Sequence, residues 1–302
     1  MTNGIYKAVL PVFLFLAGCT EKADTGLSGD GGSVPLLVAG RLYGYDGTDS
    51  GILHGSEHIG VYMEEYPSAG RIAYSNLGYT ATYGTYDEYF NPDDYGCIPF
   101  FSENDGRKWT VWAYYPYKED MEGYIVVSVS DQSRLKETDL LYARVTGLDY
   151  SNNTAWLNLA PALSKLHFVF EAGVGVESLS GMSAWLSGFP TVGNFDLSTC
   201  HFTADGNSSG RIDMVMSGDE HAADALVLPY ARTDGYVAEI SVPGEPVARS
   251  FRIDGYISGF ERGMQYDFTV TVNRSSLDIA VSSAPIAGWH ESGTVEVSGE
   301  AE

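Results

Sequence analysis

Residues 156–170 read WLNLAPALSKLHFVF, and their spacing decides the fold. Ala155, Leu157 and Leu159 alternate with Trp156 and Asn158, a two-residue period that sends successive side chains to opposite faces of a strand. Pro161 has no N–H to donate and interrupts that ladder. A second strand begins at once, with Leu166, Phe168 and Phe170 on one face and Lys165 and His167 on the other. The stretch reads as a seam between two halves, each made of short alternating strands with almost no helical periodicity.

Outward from the seam the same style repeats. Towards the amino terminus, Val34 to Tyr45 (VPLLVAGRLYGY) is apolar apart from Arg41, and HIGVYM at 58–63 sets Ile59, Val61 and Met63 on one face. WTVWAYY at 109–115 is apolar on both faces, as a central strand would be, and stops at Pro116. Towards the other end, residues 265–272 alternate cleanly, with Tyr266, Phe268, Val270 and Val272 predicted inward. A last strand over Thr294–Ser298 carries Val295 and Val297. Many short strands at near-regular spacing indicate sandwiches rather than βαβ units.

The totals agree with an all-β chain. Hydrophobic residues make up 44% of 302, enough for real cores and against wholesale disorder. Twenty-one tyrosines favour strands, and 35 glycines supply turns. A net charge of −23 repels phosphate backbones and anionic lipid surfaces, which argues against nucleic acid as a partner and for solubility. Of three cysteines, Cys97 and Cys200 fall in different halves, and each is read as a small buried apolar residue rather than half of a disulfide.

The first 18 residues carry one base, Lys7, and an apolar run from Ala8 to Ala17 that is too short to span a bilayer. The run ends in Leu16-Ala17-Gly18-Cys19, which resembles a bacterial lipoprotein signal with Cys19 as the acylated first residue of the mature protein. Two acyl chains anchor stably where one is marginal. Residues 19–33, rich in Gly, Ser and Asp, read as a flexible tether. The expected layout is a signal peptide over 1–18, the tether over 19–33, and two β-sandwiches over 34–160 and 161–302.

Little in the chain assembles catalytic chemistry. Gly206-Asn-Ser208-Ser-Gly210 fits G-x-S-x-G, but that motif needs a strand, an elbow and a helix, and here it lies in a polar loop. His54 and His58 are four apart among glycines, with no further ligand motif, and read as loop residues. Asp46, Asp49 and the Asn91–Asp94 turn match no calcium-loop spacing. Ser133 and Lys136 fit S-x-x-K without its companion motifs. The expectation is no catalytic residue, no metal and no cofactor. A rival to a structural role is glycan binding by Trp109, Trp112, Tyr114, Tyr115 and the tyrosines of 74–89, although strand tyrosines more often fill half-buried faces.

Several stretches in order resemble the fimbrillin family, lipoprotein-precursor subunits of type V pili in Bacteroidales. They are the signal ending at Cys19, GSEHIGVYM at 55–63, WAYYPY at 112–117, DLLYA at 139–143, LSKLHF at 163–168, FDL at 195–197, GMQY at 263–266 and IAGW at 286–289. His58 and Glu57 depart from the usual Asp-led version of the second stretch. The resemblance implies two tandem transthyretin-like antiparallel β-sandwich domains, exported as a lipoprotein to the outer-membrane surface. It also implies cleavage by an arginine-specific protease after the first strand, where Arg41 lies. A strand from a neighbouring subunit then fills the groove by β-strand addition. The donor would be the carboxy-terminal segment with Val295 and Val297. The implied partners are other pilin subunits, the outer membrane through the lipid, and an adhesion ligand on a host or bacterial surface.

Overall fold

Two-residue alternation becomes strand on both sides of the seam. The structure, a computed structural model, describes residues 32–42, 56–67, 72–82, 88–121, 124–133, 135–205 and 208–286. The first half holds β1 (Ser33–Pro35), β2 (Leu37–Leu42), β3 (His58–Tyr66), β4 (Ile72–Ala81) and β5 (Tyr89–Pro92). It continues with β6 (Phe100–Ser102), β7 (Lys108–Tyr115), β8 (Tyr124–Ser128), the one-turn helix α1 (Leu135–Thr138), β9 (Leu141–Leu148) and β10 (Thr154–Pro161). The second half runs β11 (Ser164–Ala172), β12 (Ser183–Pro190), β13 (Val192–Asp196), β14 (His201–Ala204), β15 (Ser209–Asp213) and β16 (Val215–Met216). It ends with β17 (Ala222–Val227), β18 (Val237–Ser241), β19 (Arg249–Arg252), β20 (Met264–Val272) and β21 (Leu277–Pro285).

In the first half, seven strands close on themselves in the order β10-β2-β5-β4-β3-β7-β9. Closure comes from β10, which runs parallel to β2 through Leu159 and then pairs with β9 at Ala160↔Tyr142 and Pro161↔Leu141. Its inward residues Ala155, Leu157 and Leu159 are wholly buried and Trp156 is exposed, as the alternation predicts. In the WAYYPY stretch, β7 lies between β3 and β9 with Trp109 to Tyr114 buried. The Tyr114 hydroxyl donates to Asn76 Oδ1 (2.8 Å), and Asn76 Nδ2 donates to the carbonyls of Lys118 and Glu119 (2.8 and 2.9 Å). That network pins the loop after Pro116, and burial raises the Tyr114 hydroxyl pKa well above its ordinary value.

The second half stacks a five-stranded sheet, β16-β17-β11-β20-β21, with a four-stranded one, β15-β12-β18-β19. β11 and β20 run parallel from Lys165↔Gln265 to Ala172↔Val272. Their inward residues form an aromatic stack: Phe168 lies 4.6 Å from Phe268, centroid to centroid, at 7° between ring planes. Lys165, expected on the outer face, is buried there with its Nζ 3.4 Å from Asp224 Oδ1, which also takes His167 Nδ1 at 2.7 Å.

The two halves are sewn together. β8 lies before the seam, yet it pairs antiparallel with β13 of the second half and sends Ile125 and Val127 into that half's core. Buried Gln132 completes the stitch: its Nε2 donates to the carbonyls of Val129 and Leu226, and the Leu226 N–H donates to its Oε1. Tyr62, Trp112, Tyr114 and Tyr142 from the first half belong to the same apolar cluster as Phe168 and Phe195.

One surface loop sets a pH dependence. Asp149 accepts from Lys108 Nζ, from the Ser151 hydroxyl and N–H, and from the Asn152 N–H. Led by the Lys108 hydrogen bond, these hold its carboxyl at about 2. A depressed carboxyl pKa adds stability that is complete above the unfolded value, about 4, and is lost as the pH falls through the folded one. Asp149→Asn is therefore expected to flatten the loss of stability between pH 4 and 2, read from denaturant midpoints, and to leave its slope near pH 7 unchanged.

Candidate functional site

The first long strand of the barrel gathers the features that assembly would use. β2 pairs parallel with β10 along its whole length, from Leu37↔Thr154 to Leu42↔Leu159. Its other edge pairs antiparallel with β5 at Val38↔Phe90 and Ala39↔Tyr89, and the Gly40 N–H donates to the Glu88 carbonyl beside β5 (2.7 Å). Val38 and Leu42 point inward and join Leu36, Ile59, Val61, Phe90 and Leu157 in one buried cluster. Gly40 lies between them, also inward, where the β10 backbone leaves no room. A Cβ on Gly40 would sit 1.8 Å from the Leu157 carbonyl oxygen, and φ is +156°. Only glycine fits that niche.

The outward face is built differently. Leu37 and Arg41 are exposed, but Ala39 between them is wholly buried. Its ladder partners are Trp156 on β10 and Tyr89 on β5, and their rings lean together over β2 with centroids 6.1 Å apart. A small residue is needed beneath that aromatic bridge. Beside it, Arg41 Nε donates to Glu88 Oε1 at 2.5 Å, with the arginine side chain 47% exposed. The guanidinium is open to solvent, while the Arg41–Leu42 peptide lies in the ladder opposite Asn158 and Leu159. Cutting there requires this end of the strand to lift first.

The other sequence candidates dissolve into structure. Ser208 donates to the carbonyls of Asp205 (2.8 Å) and Val192 (3.2 Å), holding a turn rather than serving as a nucleophile. His58, read as a loop residue, opens β3; its Nε2 lies 2.5 Å from Asp93 Oδ2 and its ring 4.0 Å from that of Tyr117. Asp93 also accepts from the Thr80 hydroxyl, and Asp94 caps the turn at Tyr95–Cys97. Of the aromatic residues named as glycan candidates, Trp109, Trp112, Tyr114 and Tyr79 are core residues, whereas Tyr74, Tyr89 and Tyr115 are half-buried and Tyr83 and Tyr86 lie outside the described residues. Cys200 is a free thiol and does not pair with Cys97, but Cys97, expected to stand outside any disulfide, is disulfide-bonded, and both cysteines are half-buried rather than buried. Among the described residues, no group of three His, Cys, Asp or Glu side chains could hold a metal ion. Cys19, Asp46, Asp49, His54, Gly206, Asn207, Trp289, Val295 and Val297 lie outside the described residues.

The sequence reading passed over the Gly40 niche and the Trp156–Tyr89 bridge. A glycine at an inward position between Val38 and Leu42 was the available signal, and nothing local says whose backbone it meets.

Comparison with known proteins gives one consistent answer. The fimbrillin-like family model matches residues 46–289. A Bacteroides uniformis protein, the candidate fimbrium subunit Fim1C, is 24% identical over 290 residues, covering 91% of each chain. Among solved structures, a candidate cell adhesion protein from Bacteroides uniformis superposes with a TM-score of 0.70 at 23% identity, over 86% of this chain and all of its own. The tip fimbrial protein Mfa3 of Porphyromonas gingivalis gives 0.50 at 10% identity, over 84% of this chain and 99% of its own. Those two likenesses show the shared all-β fold, and the family is one of structural subunits rather than enzymes. With most of its length matched by that family's model, this chain belongs to the fimbrillin-like family.

Proposed function

We propose that the chain is a structural subunit of a cell-surface fimbrium that supports adhesion. In this reading it is exported as a precursor acylated at Cys19, cut after Arg41, and assembled by strand exchange with other pilin subunits. The observation that carries the reading is the build of β2. It pairs parallel with β10 and antiparallel with the short β5, it is seated in an apolar slot, and an exposed arginine lies near its end. Its departure through Arg41 would take Leu36 and Val38 out of the core and uncover the β10 and β5 edges. Open main-chain edges flanking an apolar groove are what an added strand occupies. The glycan reading is weakened at Trp112 and Tyr114, which face the core, and rests on the half-buried Tyr74, Tyr89 and Tyr115.

Arg41→Ala separates processing from folding. The Arg41–Glu88 pair is exposed, so its loss is expected to change stability by under about 1 kcal/mol. Protein taken from the native cell surface is expected to begin at Leu42 and to run as high-molecular-weight ladders on unheated gels. The Arg41→Ala form is expected to keep its lipid-bearing start and to lack the ladders. A wild-type protein that retains acylated Cys19 and stays monomeric would refute cleavage after Arg41 and assembly by strand exchange.

A further inference from the structure

The slot that holds β2 imposes a sequence rule on any strand that replaces it. Read from Leu36 to Leu42, the rule has four parts: apolar at Leu36 and Val38, small at Ala39 under Trp156 and Tyr89, glycine at Gly40 against Leu157, and apolar at Leu42. Positions 37 and 41 face solvent and are unrestricted in size. Among the residues outside the described ones, one stretch of sequence satisfies all of it: Val295-Glu-Val297-Ser298-Gly299-Glu300-Ala301. Aligned on the glycines, Val295 takes the place of Leu36, Val297 of Val38 and Ser298 of Ala39, and Ala301 reaches the place of Leu42, which stays with the cut chain as its new first residue and must swing out of the slot.

We infer that Gly299 sets the register in which the tail of a second copy enters the slot, running in the direction of β2 with Gly299 seated against Leu157. This rests on the strand-exchange reading above. Shifting the tail by two residues in either direction puts Val297 or Ala301 in the glycine niche, where a Cβ meets the Leu157 carbonyl. A one-residue shift turns the valines outward. Backbone hydrogen bonds to β10 are the same in every register, so side-chain fit decides. Glu300 replaces Arg41 and so meets Glu88 as a like charge, where the resident strand offers an ion pair. The resident strand is thereby preferred while it remains, which restricts exchange to subunits that have lost it.

Cysteine pairs read the register directly. Arg41 lies opposite Asn158 in the ladder. Asn158→Cys with Glu300→Cys is expected to give intermolecular disulfides in assembled material, since neighbouring Cα atoms in a ladder lie within disulfide range. Asn158→Cys with Ser298→Cys is expected to give few. The reverse pattern, or equal trapping in both, overturns the register while leaving strand exchange standing. A second variant checks the niche: Gly299→Val is expected to abolish the ladders, whereas Gly293→Val, outside the aligned stretch, is expected to keep them. Ladders from Gly299→Val equal to wild type would overturn the glycine rule. Absence of ladders from the wild type itself would instead overturn the strand-exchange reading on which the rule rests.

Discussion

Gly40→Val is expected to cripple the precursor, destabilising it by about 3 kcal/mol or more. The nearest atom to a new Cβ is a backbone oxygen of β10, 1.8 Å away, and it cannot rotate aside as a side-chain tip would. Moving it means parting β2 from β10 along a ladder that also seats Val38 and Leu42. Gly40→Ala should fail for the same reason, because the clash begins at Cβ. Chemical unfolding of the uncut chain measures the effect, with Arg41→Ala as the near-neutral neighbour. A wild-type midpoint for Gly40→Val would mean that β2 is not seated in this slot. The penalty should also vanish once the chain has been cut after Arg41, since residue 40 then leaves with the released strand.

Phe168→Ala is expected to cost about 3–5 kcal/mol. Phe168 is 1% exposed, stacks on Phe268 at 4.6 Å and stands beside Phe170 at 6.1 Å on its own strand. The neighbours belong to two parallel strands locked over eight residue pairs, so the cavity cannot close by a shift of one strand. Unlike the Gly40 variants, this one should be equally damaging before and after cleavage. A Phe168→Leu variant that recovers most of the loss would tie the effect to volume. A loss below about 1 kcal/mol for Phe168→Ala would contradict the packing described.

The seam shows how much of this was legible beforehand. Ala155, Leu157 and Leu159 are buried with Trp156 outside, and Tyr266, Phe268, Val270 and Val272 are inward, because alternation within one strand carries that information locally. Two things escaped it. Ile125 and Val127 alternate with exposed neighbours, but nothing nearby says that β8 belongs beside β13 in the other half. Lys165 reads as an outer-face residue, and only the fold brings Asp224 to it. The aromatic surplus is only partly legible: strand aromatics are expected to fill sheet faces, and Trp112 and Tyr114 do, but composition does not say that β7 is covered on both sides. At the candidate site, Arg41 could be named from sequence. The niche at Gly40 could not, because it is made by the backbone of Leu157 on a distant strand.

The seam also has a mechanical meaning. The strand that grips the slot, β10, continues through Ala162 and Leu163 into β11, which lies parallel to β20, itself hairpinned to β21 ahead of the tail. In a fibre assembled as proposed, tension entering at β10 and leaving through the tail runs along these strands rather than across them. Their hydrogen bonds are then loaded in shear and must fail together, not one by one as in peeling. A subunit of this build would yield to pulling in one high-force rupture rather than by gradual unzipping.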